Sequence, residues 1–105
     1  MILINIVSKS ENQASEIVDF LIENKLILDA VIFEKVSTRK KGENGTFQSL
    51  KQIFIMGKTK ALLFNVIDKR LREKYDQDMP VLFSVPIVNM DWQQADELVN
   101  ETARV

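Results

Sequence analysis

Apolar residues along the chain recur at two spacings, one suited to strands and one to helices. Met1-Ile2-Leu3-Ile4-Asn5-Ile6-Val7 is a short apolar run that reads as a strand. It lacks the basic start and small-residue cleavage site of a secretory leader. Ser10-Glu11-Asn12-Gln13 has the pattern of a capping box, in which the Ser hydroxyl and the Gln side chain satisfy free amides at a helix start. Ala14, Ile17, Val18, Leu21 and Ile22 then fall on one helical stripe, opposite Glu11, Ser15, Asp19 and Glu23, so this helix covers an apolar partner from the surface. Leu26 to Val36 reads as a second strand, too continuously apolar for one-sided exposure, which predicts cover on both faces. The charged stretch Arg39-Lys40-Lys41-Gly42-Glu43-Asn44-Gly45 supplies turn residues, and a strand returns from Phe47 to Lys58. Together these make a long antiparallel hairpin.

Thr59 is placed to cap a second helix with Leu63, Val66, Ile67 and Leu71 on its buried stripe and Lys69, Arg70, Arg72 and Lys74 toward water. Tyr75-Asp76-Gln77-Asp78 breaks that period, Pro80 ends it, and Val81 to Val88 reads as a last strand, with Pro86 suited to an edge or a bulge. Asp91 and Gln94 repeat the capping pattern before a short helix in which Trp92, Ala95, Leu98 and Val99 cover an apolar surface. The order β-α-β-β-α-β plus a C-terminal helix is the α+β, ferredoxin-like split βαβ sandwich. Two helices then pack on one face of a four-stranded antiparallel sheet. The other face has no cover from within the chain although its strands read as apolar on both sides, so oligomerisation is expected.

Length and composition narrow the function classes. A chain of 105 residues forms one domain, covering 1–105. Fourteen Lys and Arg against fifteen Asp and Glu leave a net charge of −1, so nothing in the overall field points to nucleic acid or an anionic membrane. No segment approaches the roughly 18 apolar residues of a membrane span, and a cytoplasmic location is expected. The chain has no Cys and no His. Disulfides, thiolate nucleophiles and imidazole bases are therefore outside its reach, and carboxylates, carbonyls, hydroxyls, Met sulfur and water remain as ligands, a set that suits hard cations where several oxygens converge.

Several runs in this register resemble the CutA-like divalent-cation tolerance family. They are Glu23-Asn24-Lys25-Leu26 closing the first helix, the long hairpin, Lys58-Thr59 ending the third strand, and Pro80 and Pro86 with five residues between them. The resemblance spans Ile2 to Val88. It implies a homotrimer related in architecture to the PII signalling proteins, with open sheet faces turned inward and clefts between protomers. It also implies a non-enzymatic role in divalent-cation tolerance or response to metal ions. The resemblance is to a divergent branch of that family. Asp29 stands where the family commonly has a Cys, Lys40-Lys41-Gly42 replace an aromatic-rich hairpin, and Tyr75-Asp76-Gln77-Asp78 replace a His-Pro-Tyr-Glu run. Copper binding does not carry over, because neither thiolate nor imidazole is available.

Three groups of residues are candidate sites. Asp29, a carboxylate within an apolar strand, is either one ligand of a cation or a group paired at a subunit interface. Asp76 and Asp78, with Glu73 nearby, form an acidic cluster that suits a weakly held divalent cation at a subunit cleft, or simply a solvated helix end. Arg39, Lys40 and Lys41 are placed at the hairpin tip, where they dock a small anionic ligand or protein partner or keep an edge soluble. Tyr75 and Trp92 line a pocket or seal an interface. Two alternatives to this function stay open: a small cofactor-free enzyme on a dimeric scaffold using Tyr75 or Asp29, and a PII-like sensor that binds a partner through the basic hairpin. On the trimeric reading, a charge at Ile53 or Asp29→Lys is expected to disturb assembly more than a change at Lys40.

Overall fold

A computed structural model describes residues Met1–Val105. In chain order the elements are β1 (Ile2–Ser8), α1 (Glu11–Glu23), β2 (Val31–Lys41), β3 (Phe47–Thr59), α2 (Phe64–Tyr75), β4 (Val81–Pro86) and α3 (Trp92–Glu101), with short 3₁₀ turns at Ala61–Leu63 and Asp76–Asp78. The sheet is wholly antiparallel in the order β2-β3-β1-β4, which is the α+β ferredoxin-like arrangement the pattern predicts.

Strand pleating divides the sheet residues between two faces, because directly paired residues share a side. One face carries Ile2, Ile4 and Ile6 of β1 with Ile53 and Ile55 of β3, and the helices cover it. Ala14, Ile17, Val18 and Leu21 of α1 meet Leu63, Ile67 and Leu71 of the second helical segment over these strands, forming a single buried core. The opposite face carries Leu3, Asn5 and Val7 of β1, Phe54 and Met56 of β3, Val81, Phe83 and Val85 of β4, and Val31 and Phe33 of β2. Nothing in the chain covers it. Val31, Phe33, Val81, Phe83 and Val85 are exposed there.

The start of β2 differs from the sequence expectation. Leu26 and Ile27 are buried but belong to the connection out of α1, not to a strand. Helix α1 ends in a Schellman turn: Lys25 takes φ 56°, its N–H donates to the Ile22 carbonyl at 3.0 Å, and the Leu26 N–H donates to the Leu21 carbonyl at 2.8 Å. This turn drives Leu26 back against Leu21 in the core, so the apolar run is used by a helix end first and by β2 only from Val31. The predicted cover on both faces of β2 is also corrected. Within the single chain Val31 and Phe33 lie on the open face and are exposed, and Ile32, on the helix side at the margin of the sheet, is only partly covered.

Between Phe33 and Val36 the β2–β3 register shifts by one residue, a bulge that bends the hairpin. Beyond it, Ser37–Lys41 and Phe47–Lys51 extend as an arm that no helix covers, and the molecule reaches 49 Å along its long axis. Gly45, at φ 82°, closes the tip. Thr59 does not cap α2. It is buried at the end of β3 with its hydroxyl donating to the Leu26 carbonyl at 2.6 Å, and α2 begins after the 3₁₀ turn with no side-chain cap. The caps at Ser10 and Asp91 form as expected, accepting from the Gln13 and Gln94 amides. In α3 only Leu98 is fully buried; Trp92 is 70% exposed and covers nothing.

Candidate functional site

The most extensive unfilled feature is the open sheet face, and it is apolar because the strands alternate two apolar faces instead of one. At its centre sits Asn5, paired across the sheet with Met56 and Phe83 and followed along its own face by Leu3 and Val7. Asn5 is 4% exposed, its carboxamide makes no side-chain hydrogen bond within the chain, and it keeps only marginal contact with solvent. Sequence reading passed over it. The available signal was a lone amide inside the Ile2–Val7 run, at a position where β-strands disfavour Asn.

Asp29 lies in the connection before β2 and is exposed, which corrects its expected place inside an apolar strand. It is held there by Gly57: a side chain at that glycine would meet the Asp29 carbonyl oxygen at 3.1 Å and Ile27 Cδ1 at 3.2 Å. A larger residue there would press the connection away from β3 by a few tenths of an ångström. Asp29 borders a cleft of about 210 Å³ with Leu28, Lys58, Met90, Gln94 and Glu97.

Asp76 and Asp78 occupy the 3₁₀ turn after α2, and Asp76 takes a positive φ of 47°. Asp78 pairs with Lys9 at 3.5 Å between exposed side chains, and its carbonyl accepts from Gln13 Nε2 at 2.8 Å. Gln13, buried at the start of α1, also accepts from the Ser8 hydroxyl and the Lys9 amide at 2.8 and 3.0 Å. The Gln thus reaches one residue further back than a simple capping box would. It anchors the Asp78 turn to the Ser8 end of β1, whereas Asp29 sits beside Gly57 toward the other end. Gly57 and Ile53, the partner of Ser8, are four residues apart, roughly 13 Å of strand. No three acidic residues converge within one chain.

Arg39, Lys40 and Lys41 are the last residues of β2, paired with Ser49, Gln48 and Phe47, so they flank the tip instead of forming it. Arg39 donates to the Ser49 hydroxyl at 3.1 Å and lies over the Phe47 ring at 5.2 Å. Lys40 and Lys41 line an open hollow with Gly42, Glu43, Asn44 and Gln48. Tyr75 borders another with Lys9, Ser10, Asn12, Gln13, Glu16 and Asp78. Its hydroxyl donates to Glu16 Oε1 at 3.0 Å. Burial, then this hydrogen bond and the adjacent Glu16 charge, push the Tyr75 pKa up to about 12. A phenol held protonated in this way is a poor base and a poor nucleophile. The space between helices and sheet, where a dimeric enzyme would need its pocket, is filled by Ile4, Ile6, Ile17, Leu21, Ile55 and Ile67.

No family model and no curated protein matches the sequence. Solved structures do match over the whole chain. The divalent cation tolerance protein Cut A1 of Thermus thermophilus superposes with a TM-score of 0.87 at 20% identity, covering 98% of this chain and 100% of its own. CutA1 from Oryza sativa gives 0.89 at 16% identity, covering 99% and 94%. A CutA of Archaeoglobus fulgidus, described as a periplasmic divalent cation tolerance protein, gives 0.85 at 20% identity over 96% and 98%. From first strand to last helix, this chain has the fold of the CutA1 divalent cation tolerance proteins.

Proposed function

We propose that the chain is a non-enzymatic homotrimer of CutA type that acts in the cytoplasm in the response to divalent metal ions. The observation that carries the reading is the bare apolar face of a sheet whose fold follows CutA1 proteins end to end. The accessible surface of the single chain is 7191 Å². A compact monomer of 12.1 kDa exposes about 6,000 Å². The excess is comparable with the roughly 800 Å² that each partner contributes to a standard interface. The radius of gyration, 14.8 Å against about 13 Å for a compact chain of this length, points the same way. No helix is long and apolar enough to cross a membrane.

The cation in this reading is hard, weakly held and bound through oxygen. Asp29 from one protomer and Asp76 and Asp78 from another supply carboxylates that a single chain keeps apart. Arg39, Lys40 and Lys41, on an arm that reaches away from the sheet, offer a basic surface to a protein or small anionic partner, which is the sensor form of the same proposal. Titration of the protein with manganese or calcium, followed by native mass spectrometry, tests the cation directly. The expected result is added metal mass that is lost in Asp29→Asn and in the double variant Asp76→Asn, Asp78→Asn. Metal retained equally by wild type and both variants contradicts the assignment.

A further inference from the structure

We propose that Asn5 is a polar lock between copies of this chain: its carboxamide hydrogen-bonds to a neighbouring copy and selects which arrangement of copies forms. The inference rests on the trimeric reading above and adds to it the residue that makes the assembly specific. Asn5 lies at the middle of β1, flanked by Met56 and Phe83 on the adjoining strands and by Leu3 and Val7 along its own. It is 4% exposed, its carboxamide is in none of the chain's side-chain hydrogen bonds, and its amide atoms keep the small contact with solvent that this leaves them. Neither strand propensity nor burial calls for an amide at this point, where Ile or Val would satisfy both.

The occupant of the face is a second copy on three grounds. The chain exposes more surface than a compact monomer, by an amount an interface would absorb. It carries two unlike free sheet edges, β2 and β4, and unlike edges can pair head to tail, which makes a ring where the rotation between copies closes. Its net charge of −1 sets up little repulsion between copies. Apolar contact alone is non-directional and leaves shifted or enlarged assemblies close in free energy. A central amide changes that, because every arrangement that covers it without a partner leaves a donor and an acceptor unpaired. A single buried Asn is known to fix register and oligomer number in this way, at some cost in stability.

Two measurements test the proposal. In the first, native masses and melting are compared for wild type and Asn5→Leu, a substitution of similar shape. The expected result is one species of three chain masses for wild type. Asn5→Leu is expected to melt a few degrees higher yet distribute over several oligomeric masses. A single trimer for Asn5→Leu overturns the lock and leaves the trimer standing; a wild type of one chain mass removes the trimer itself. In the second, side-chain amide exchange is followed in labelled wild type. The Asn5 amide protons should exchange at least about tenfold more slowly than those of exposed Asn100. Equal rates overturn the proposal.

Discussion

Thr59 and Tyr75 are single side chains whose hydrogen bonds have measurable consequences. The Thr59 hydroxyl, fully buried, is donated to the Leu26 carbonyl at 2.6 Å and ties the end of β3 to the turn after α1. Thr59→Val keeps the shape and leaves that carbonyl unpaired, so it should cost about 1–3 kcal/mol, read as a lower denaturant midpoint with an unchanged slope. For Tyr75, burial and Glu16 raise the folded pKa to about 12, above its ordinary value of 10.0. The folded state therefore holds the phenolic proton that the unfolded chain releases. The contribution is fully present below pH 10 and is lost as pH rises toward 12. Tyr75→Phe should lower stability at neutral pH and make the alkaline decline across that window shallower than in wild type, in denaturant midpoints taken at successive pH values. Ser10 and Asp91 were legible as caps because a cap is a local pattern. Thr59 was not, since its partner lies 33 residues away in sequence.

At the scale of elements, the turn after α1 decides where the apolar run beginning at Leu26 is used. Lys25 occupies a left-handed position that glycine adopts without steric cost. Lys25→Gly should stabilise the protein by up to about 1 kcal/mol, seen as a raised melting temperature with unchanged secondary structure. A fall in melting temperature would show that the Lys side chain itself supports the turn. The strand order and hairpin were readable from alternation and turn residues, but the start of β2 was not. Leu26 and Ile27 look like strand residues when only composition is counted, and it is the Schellman turn that diverts them into the core. Ile53 is a similar case: it faces α1 and not the open face, so a charge there should unfold the chain instead of separating copies.

Across the whole molecule, apolar patterning on both sides of the strands makes the uncovered face legible in the sequence, and Val31, Phe33, Val81, Phe83 and Val85 mark it in the structure. The candidate site was less legible. Asp29, Asp76 and Asp78 are separate within one chain because the sheet sets their spacing, and what another copy brings to them is invisible to a single sequence. Asn5 was hidden for the opposite reason, being one polar letter in a run read as uniformly apolar. Each of these readings depends on what covers the sheet, so the mass of the native particle at low micromolar concentration is the decisive measurement. The account predicts a single species of three chain masses, while a particle of one chain mass would contradict it.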